Sequence, residues 1–168
     1  MTGASRGIGF AIGDGLAHAG ARVVALARSA KPDRPYDSDR VEYRSANVEE
    51  GLVRHFAEIA RTHGGLDVLV NAAGISIPDA GGCGDARAVF DRTIRVNLTA
   101  AYASCLAARP HMRAGGSIIN VTSIGSVVGF PGNPGYVASK GGLRMMTKAL
   151  AVDYGTSRSE EHTSELQS

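Results

Sequence analysis

Apolar residues recur at spacings of three and four through Ile8, Ile12, Leu16 and Ala19, which predicts a helix over 8–19 closed by Gly20. The continuous run VVALA at 23–27 reads as a strand buried on both faces. A polar, proline-bearing loop over 28–40 leads to a short strand, VEYRS, at 41–45. Residues 49–63 place Leu52, Phe56 and Ile59 on one helical face before Gly64-Gly65 breaks the pattern, and LDVLV at 66–70 is a second buried strand. IPDAGGCGD at 77–85 reads as a loop. An alanine-rich helical pattern follows over 86–112, interrupted late by Pro110. The strand SIINVT at 117–122, a glycine- and proline-rich loop at 123–135 and a helix from Tyr136 to Tyr154 complete the pattern.

Strands alternating with helices predict an α/β fold, a doubly wound parallel sheet with helices on both faces. The chain has 168 residues, the size of one domain. Glycine is abundant, 22 residues or roughly twice the usual share, which signals tight turns and close backbone approaches. Eighteen basic against sixteen acidic residues give a net charge of +2 with no basic run, which argues against nucleic-acid or membrane-surface partners. No apolar run approaches a membrane span, and no signal peptide opens the sequence. Cys83 and Cys105 form neither a disulfide framework nor a CxxC pair, and the five histidines have no metal-binding spacing, so no metal and a reducing cytoplasm are expected.

Two stretches carry candidate chemistry. TGASRGIG at 2–9 sets Gly3, Gly7 and Gly9 at the entry to a helix, where backbone N–H groups and the helix dipole favour a phosphate. Its G-x3-G-x-G spacing differs from the commoner G-x-G-x-x-G, and only Met1 and Thr2 stand where a preceding strand belongs. Tyr136 and Lys140, four apart, share one helix face. An ammonium beside a phenol lowers its pKa from about 10 toward a working range for general acid–base catalysis. By itself the YxxxK spacing also fits an ordinary exposed helix.

The conjunction TGxxxGxG, NAAG (71–74), VNL (96–98), Ser123 and YxASK (136–140), in that order, resembles the short-chain dehydrogenase/reductase family over residues 2 to about 157, closest in pattern to the 3-oxoacyl-carrier-protein reductase and sugar or polyol dehydrogenase branch. The resemblance implies a Rossmann-like domain over 1–157 and an oxidoreductase that interconverts a carbonyl and a secondary alcohol with a nicotinamide cofactor. It gives Tyr136 the role of general acid/base. Lys140 would lower the pKa of Tyr136 and bond the nicotinamide ribose, Ser123 would hold the substrate oxygen, and Asn97 would hold a water of a proton relay. Gly3, Ser5, Arg6, Gly7, Ile8 and Gly9 would bind the cofactor, as would Asn71 and Gly74, with Asn47 and Val48 against the adenine. Ala72 stands where relatives carry a second asparagine. Ala27-Arg28 ends the strand where NAD-preferring relatives carry an acid, and Arg6 adds a second charge, so NADP(H) is expected over NAD(H). A nucleotide-binding module without catalysis is the competing reading, and a methyltransferase would need neither YxASK nor the serine. Relatives pair through the 97–108 and catalytic helices, where Gly141, Gly142 and Ala149 are small, so the full-length protein is expected to be a homodimer or homotetramer acting on a small molecule.

The same resemblance sets expectations for the ends. The fold is expected to be incomplete, lacking its first strand and C-terminal segments, because Met1 falls where relatives have the last valine of a central strand, as a GTG codon read as a start would give. Residues 158–168, RSEEHTSELQS, match the in-frame translation of a sequencing-library adapter beginning AGATCGGAAGAGC. They are expected to be a non-native, disordered tail, and the fragment is expected to be insoluble or inactive.

Overall fold

The computed structural model describes residues 1–78 and 85–165, with side chains to Gly155. The middle of the 77–85 loop, Cys83 included, and residues 166–168 lie outside the described residues. The elements are α1 (Gly7–His18), β1 (Val23–Ala27), β2 (Val41–Ser45), α2 (Val53–His63), β3 (Leu66–Asn71), α3 (Ala86–Ile94), α4 (Ala100–Ala108), β4 (Met112–Asn120) and α5 (Pro134–Glu165).

β1 pairs in parallel with β2, and β3 in parallel with β4. Thr2 joins the two pairs, bridging Leu26 on one side and Asn71 on the other. The lateral order is therefore β2, β1, the Met1–Thr2 stub, β3, β4. All five residues of β1 are buried, as an apolar run covered on both faces requires. Side-chain alternation sends Val23 and Ala25 toward α1, where Ala17, Leu16 and Ala4 meet them. Val24 and Leu26 point the other way, into a core with Phe56 and Ile59 of α2, Leu69 of β3, and Cys105 and Ala108 of α4. Helices thus cover both faces, and the parallel α/β reading stands.

Three boundaries differ from the sequence pattern. The segment 86–112 is not one helix: a π-helical stretch, Arg95–Thr99, separates α3 from α4, and a 3₁₀ turn at Arg109–His111 containing Pro110 ends it. β4 starts at Met112, five residues earlier than Ser117, because Arg113 clamps it to the start of β3. Its guanidinium meets both Asp67 oxygens at 2.9 and 2.7 Å and donates to His63 O at 2.7 Å. Finally, α5 runs to Glu165 rather than stopping at Tyr154. No proline follows Tyr154, and one glycine costs a helix only about 1 kcal/mol.

Candidate active site

The turn after Thr2 is built by contact. Gly3 has φ +70°, and a Cβ there would lie 2.4 Å from Ala73 N. A Cβ on Gly9 would lie 2.2 Å from Gly3 O, so α1 abuts the turn with no room for a side chain. Arg6, at the N-cap of α1, makes no side-chain capping bond, and no acid stands in the first turn. The N–H groups at this helix end are left to an anion. A cavity of about 450 Å³ opens there, lined by Gly3, Ser5, Arg6, Ile8, Gly9, Arg28, Asn47, Val48 and Gly74 among others. Ile8 is 68% exposed at its edge, an apolar surface available to a flat ring. These residues fit a dinucleotide: an uncapped helix end for a pyrophosphate and apolar walls for the bases.

Two of the expected contacts are occupied within the chain. Asn47 accepts from Glu49 N at 3.2 Å and donates to Glu50 at 3.0 Å, capping the turn Val48–Glu50. The side chain of Asn71 points into the core, where its Nδ2 donates to Asn120 Oδ1 at 2.9 Å and lies 3.4 Å from Cys105 Sγ. That bond clasps β3 to β4, and the cavity is lined instead by the Ala72–Ile75 backbone that follows. Arg28 is exposed on the cavity wall, and Asp33 stands on the same wall, its backbone N–H donating to Ser5 O at 2.9 Å. The sequence pattern showed no acid at the end of β1; the loop brings this one back by folding over α1.

The candidate catalytic residues converge at the ends of β3 and β4. Lys140 is buried, and its ammonium donates to Val121 O at 2.7 Å and lies 5.9 Å from the centre of the Tyr136 ring. Burial pulls the Lys140 pKa below its ordinary value. No carboxylate pairs with it among the described residues. Asn97 lies in the π-helical stretch, fully buried, and accepts from Ile75 N at 2.7 Å while donating to Ile75 O at 2.8 Å and to Ser139 Oγ at 3.1 Å. Ser139 donates onward to Tyr136 O at 2.7 Å. A methyl built on Gly74 would lie 3.4 Å from Asn97 Oδ1 and 3.7 Å from Lys140 Nζ, so all three meet. Ser123 caps the turn Ile124–Ser126 by accepting from Gly125 N at 3.2 Å, which leaves its hydroxyl proton free to donate. Tyr136 is half-buried beside Phe130, ring centres 6.2 Å apart.

Sequence reasoning did not single out Ser139, Asn120 or Asp33. Ser139 had a signal, its place inside YVASK; Asn120 and Asp33 had none, since each acts across the fold. Gly142, taken as a small interface residue, packs inside the chain: a Cβ there would meet Leu98 at 2.8 Å. The described residues hold no candidate metal cluster, and no helix among them is long and apolar enough to cross a membrane.

The family model described as short chain dehydrogenase matches residues 1–158. The chain is 37% identical over 172 residues to 2-(R)-hydroxypropyl-CoM dehydrogenase of Xanthobacter autotrophicus, covering 94% of this chain and 68% of that protein. It is 33% identical over 169 residues to gluconate 5-dehydrogenase of Gluconobacter oxydans, covering 92% and 64%. The solved structure of ligand-free aldohexose dehydrogenase from Thermoplasma acidophilum superposes with a TM-score of 0.77 at 28% identity, over 91% of this chain and 59% of that one. The chain thus spans roughly three fifths to two thirds of these proteins. On the matched family model and the shared architecture, the chain belongs to the short chain dehydrogenase family.

Proposed function

We propose that the protein containing this chain is an NADP(H)-dependent oxidoreductase that interconverts a small carbonyl compound and its secondary alcohol, with Tyr136 as general acid/base. The observation that carries the reading is the buried Lys140 ammonium, which has no carboxylate partner among the described residues and lies beside the Tyr136 ring and Gly74. An ammonium held out of water places a fixed positive charge beside the phenol, where the proton leaves and returns. In reduction Tyr136 donates its hydroxyl proton to the substrate oxygen; in oxidation it takes the proton back. The Ser123 hydroxyl donates a hydrogen bond to that oxygen. Asn97 orients the Ile75 segment and, through Ser139, the Tyr136 backbone. The cofactor supplies the hydride when bound.

The cofactor preference rests on Arg6 and Arg28, two cations on a cavity lining whose carboxylates are Asp33 and Glu49, the latter paired with Arg95 at 2.9 Å. A guanidinium fork suits a 2′-phosphate. The named relatives act on a hydroxylated compound, and a secondary alcohol is the substrate class we carry to this chain. We also place the protein in the cytoplasm as a homodimer or homotetramer, on the resemblance in sequence pattern.

The test is NADPH-dependent reduction of a simple diketone by this chain extended at both ends to the length of its relatives. Turnover that disappears in Tyr136→Phe supports the proposal. Tight NADPH binding without turnover on any of a panel of ketones would leave a nucleotide-binding module.

A further inference from the structure

The polar loop between β1 and β2 is fastened to the glycine-rich turn by one side chain. The Tyr36 hydroxyl donates to Ala4 O at 2.5 Å, across 32 residues of sequence. Its ring stacks on Phe10 of α1, with centres 4.2 Å apart and planes at 18°. The Arg34 guanidinium lies over the same Phe10 ring, 4.6 Å from its centre. Gly13 of α1 makes room for the phenol, since a Cβ there would stand 3.2 Å from Tyr36 Oη. Tyr36 also packs against the cluster of Ala4, Ala17, Val23 and Ala25. Burial pushes its pKa up to about 12, so the phenol keeps its proton and remains a donor.

The peptides of this turn are trans, so the C=O of one residue and the N–H of the next point to opposite sides. Tyr36 takes the Ala4 oxygen, and the backbone N–H of Asp33 takes the Ser5 oxygen at 2.9 Å. Both carbonyls are thereby turned into the loop. The N–H groups that follow them, on Ser5 and Arg6, are turned out of it. Ser5 and Arg6 line the cofactor cavity and lead into the uncapped start of α1. Successive backbone N–H groups in a turn make a concavity that suits an anion. Either peptide flipped the other way would set a carbonyl oxygen where a phosphate needs a donor. Tyr36 itself is not on the cavity lining, so its effect on a bound nucleotide passes through the turn.

We propose that Tyr36 is a positioning residue for the phosphate turn: its hydroxyl, together with the Asp33 N–H, holds the Ala4 and Ser5 carbonyls in the loop and so presents the Ser5 and Arg6 N–H groups to a phosphate of the cofactor. The inference rests on the cofactor reading of this cavity and is independent of the role given to Tyr136. A loop residue outside the glycine motif thus sets the direction of the motif's donors.

The test uses the chain extended to its relatives' length and two variants. Tyr36→Phe keeps the stacked ring and deletes the hydroxyl; Phe10→Leu deletes the ring beneath it and keeps the hydroxyl. Calorimetric binding is measured for NADPH, NADH and adenosine, and the Ser5 and Arg6 amide resonances are followed as inorganic pyrophosphate is added. Tyr36→Phe is expected to weaken NADPH and NADH alike by about three- to tenfold, the loss of one hydrogen bond, while adenosine binds as before. The pyrophosphate-induced shifts of the two amides should shrink, and kcat at saturating cofactor should be kept while KM rises. Unchanged NADPH affinity in Tyr36→Phe overturns the proposal. So does an equal loss for adenosine, or a Phe10→Leu variant that reproduces the whole effect, since either would mean packing alone. If the unaltered protein binds no NADPH, the cofactor reading falls and the proposal with it. NADPH binding that responds as expected, without turnover of any ketone, sinks the catalytic reading and leaves the proposal standing.

Discussion

The ammonium of Lys140 lies 5.9 Å from the centre of the Tyr136 ring, buried and donating to the backbone oxygen of Val121 at 2.7 Å. Bonded to β4's extension, it is fixed while the half-buried phenol faces the site. Tyr136→Phe keeps the ring and its contact with Phe130 and removes only the hydroxyl. In the chain extended to its relatives' length, turnover should fall by about 10² to 10⁴, the usual loss of a general acid, with the Tm and NADPH affinity little changed. Steady-state kinetics beside calorimetric binding check this; near-native turnover would place the acid elsewhere.

Arg28 and Asp33 both line the cofactor cavity. Arg28→Asp removes a charge-assisted contact of about 1.5–3 kcal/mol, so the KM for NADPH should rise by about 10- to 100-fold and the preference should move to NADH. Asp33→Asn should move it in the opposite direction. The ratio of kcat/KM for the two cofactors reads both, and an unchanged ratio in both variants rejects a 2′-phosphate at this wall.

Gly9 tests the turn itself. A Cβ at 2.2 Å from Gly3 O has nowhere to go, because the obstacle is backbone. Gly9→Ala should separate α1 from the Gly3 turn and abolish nucleotide binding. The helix gains the better helix former, so its content by circular dichroism should not fall. Retained NADPH affinity in this variant would show that the turn is not the phosphate site.

In a polypeptide that starts at Met1, the terminal amine gives a pH signature. Burial lowers its pKa from 8.0 to about 5. Below pH 8 the unfolded chain protonates this amine and the folded chain does not, so stability falls with pH across the window from 8 to about 5. The slope is about 1.4 kcal/mol per unit and the total loss about 4 kcal/mol. Denaturant unfolding of the free and N-acetylated chains should diverge on acidification, with the acetylated chain, which keeps an N–H for Val24 O, losing less. Parallel curves would place the amine in solvent.

The sequence by itself determined the parallel α/β order, since VVALA and LDVLV are apolar without alternation and the segments between them carry helical periodicity. It also determined the candidate residues, because Gly3, Gly9, Tyr136 and Lys140 sit in short motifs whose spacing survives any folding. What it left open are relationships that cross the chain. The lysine at 140 is buried against Val121, the amide of Asn71 turns away from the cavity to clasp Asn120, and Asp33 returns to the wall that holds Arg28. None of these has a local pattern, because each depends on where a distant backbone comes to rest. The π-helical stretch at Arg95–Thr99 is of the same kind: its residues read as plain helix, and the Asn97 bonds to Ile75 and Ser139 accompany its wider turn. The centre of the sheet is the clearest case, since VVALA and LDVLV each predict a strand but only the fold shows that Thr2 bridges Leu26 on one side and Asn71 on the other. Periodicity reports the environment each residue prefers, and tertiary structure decides which neighbours supply it.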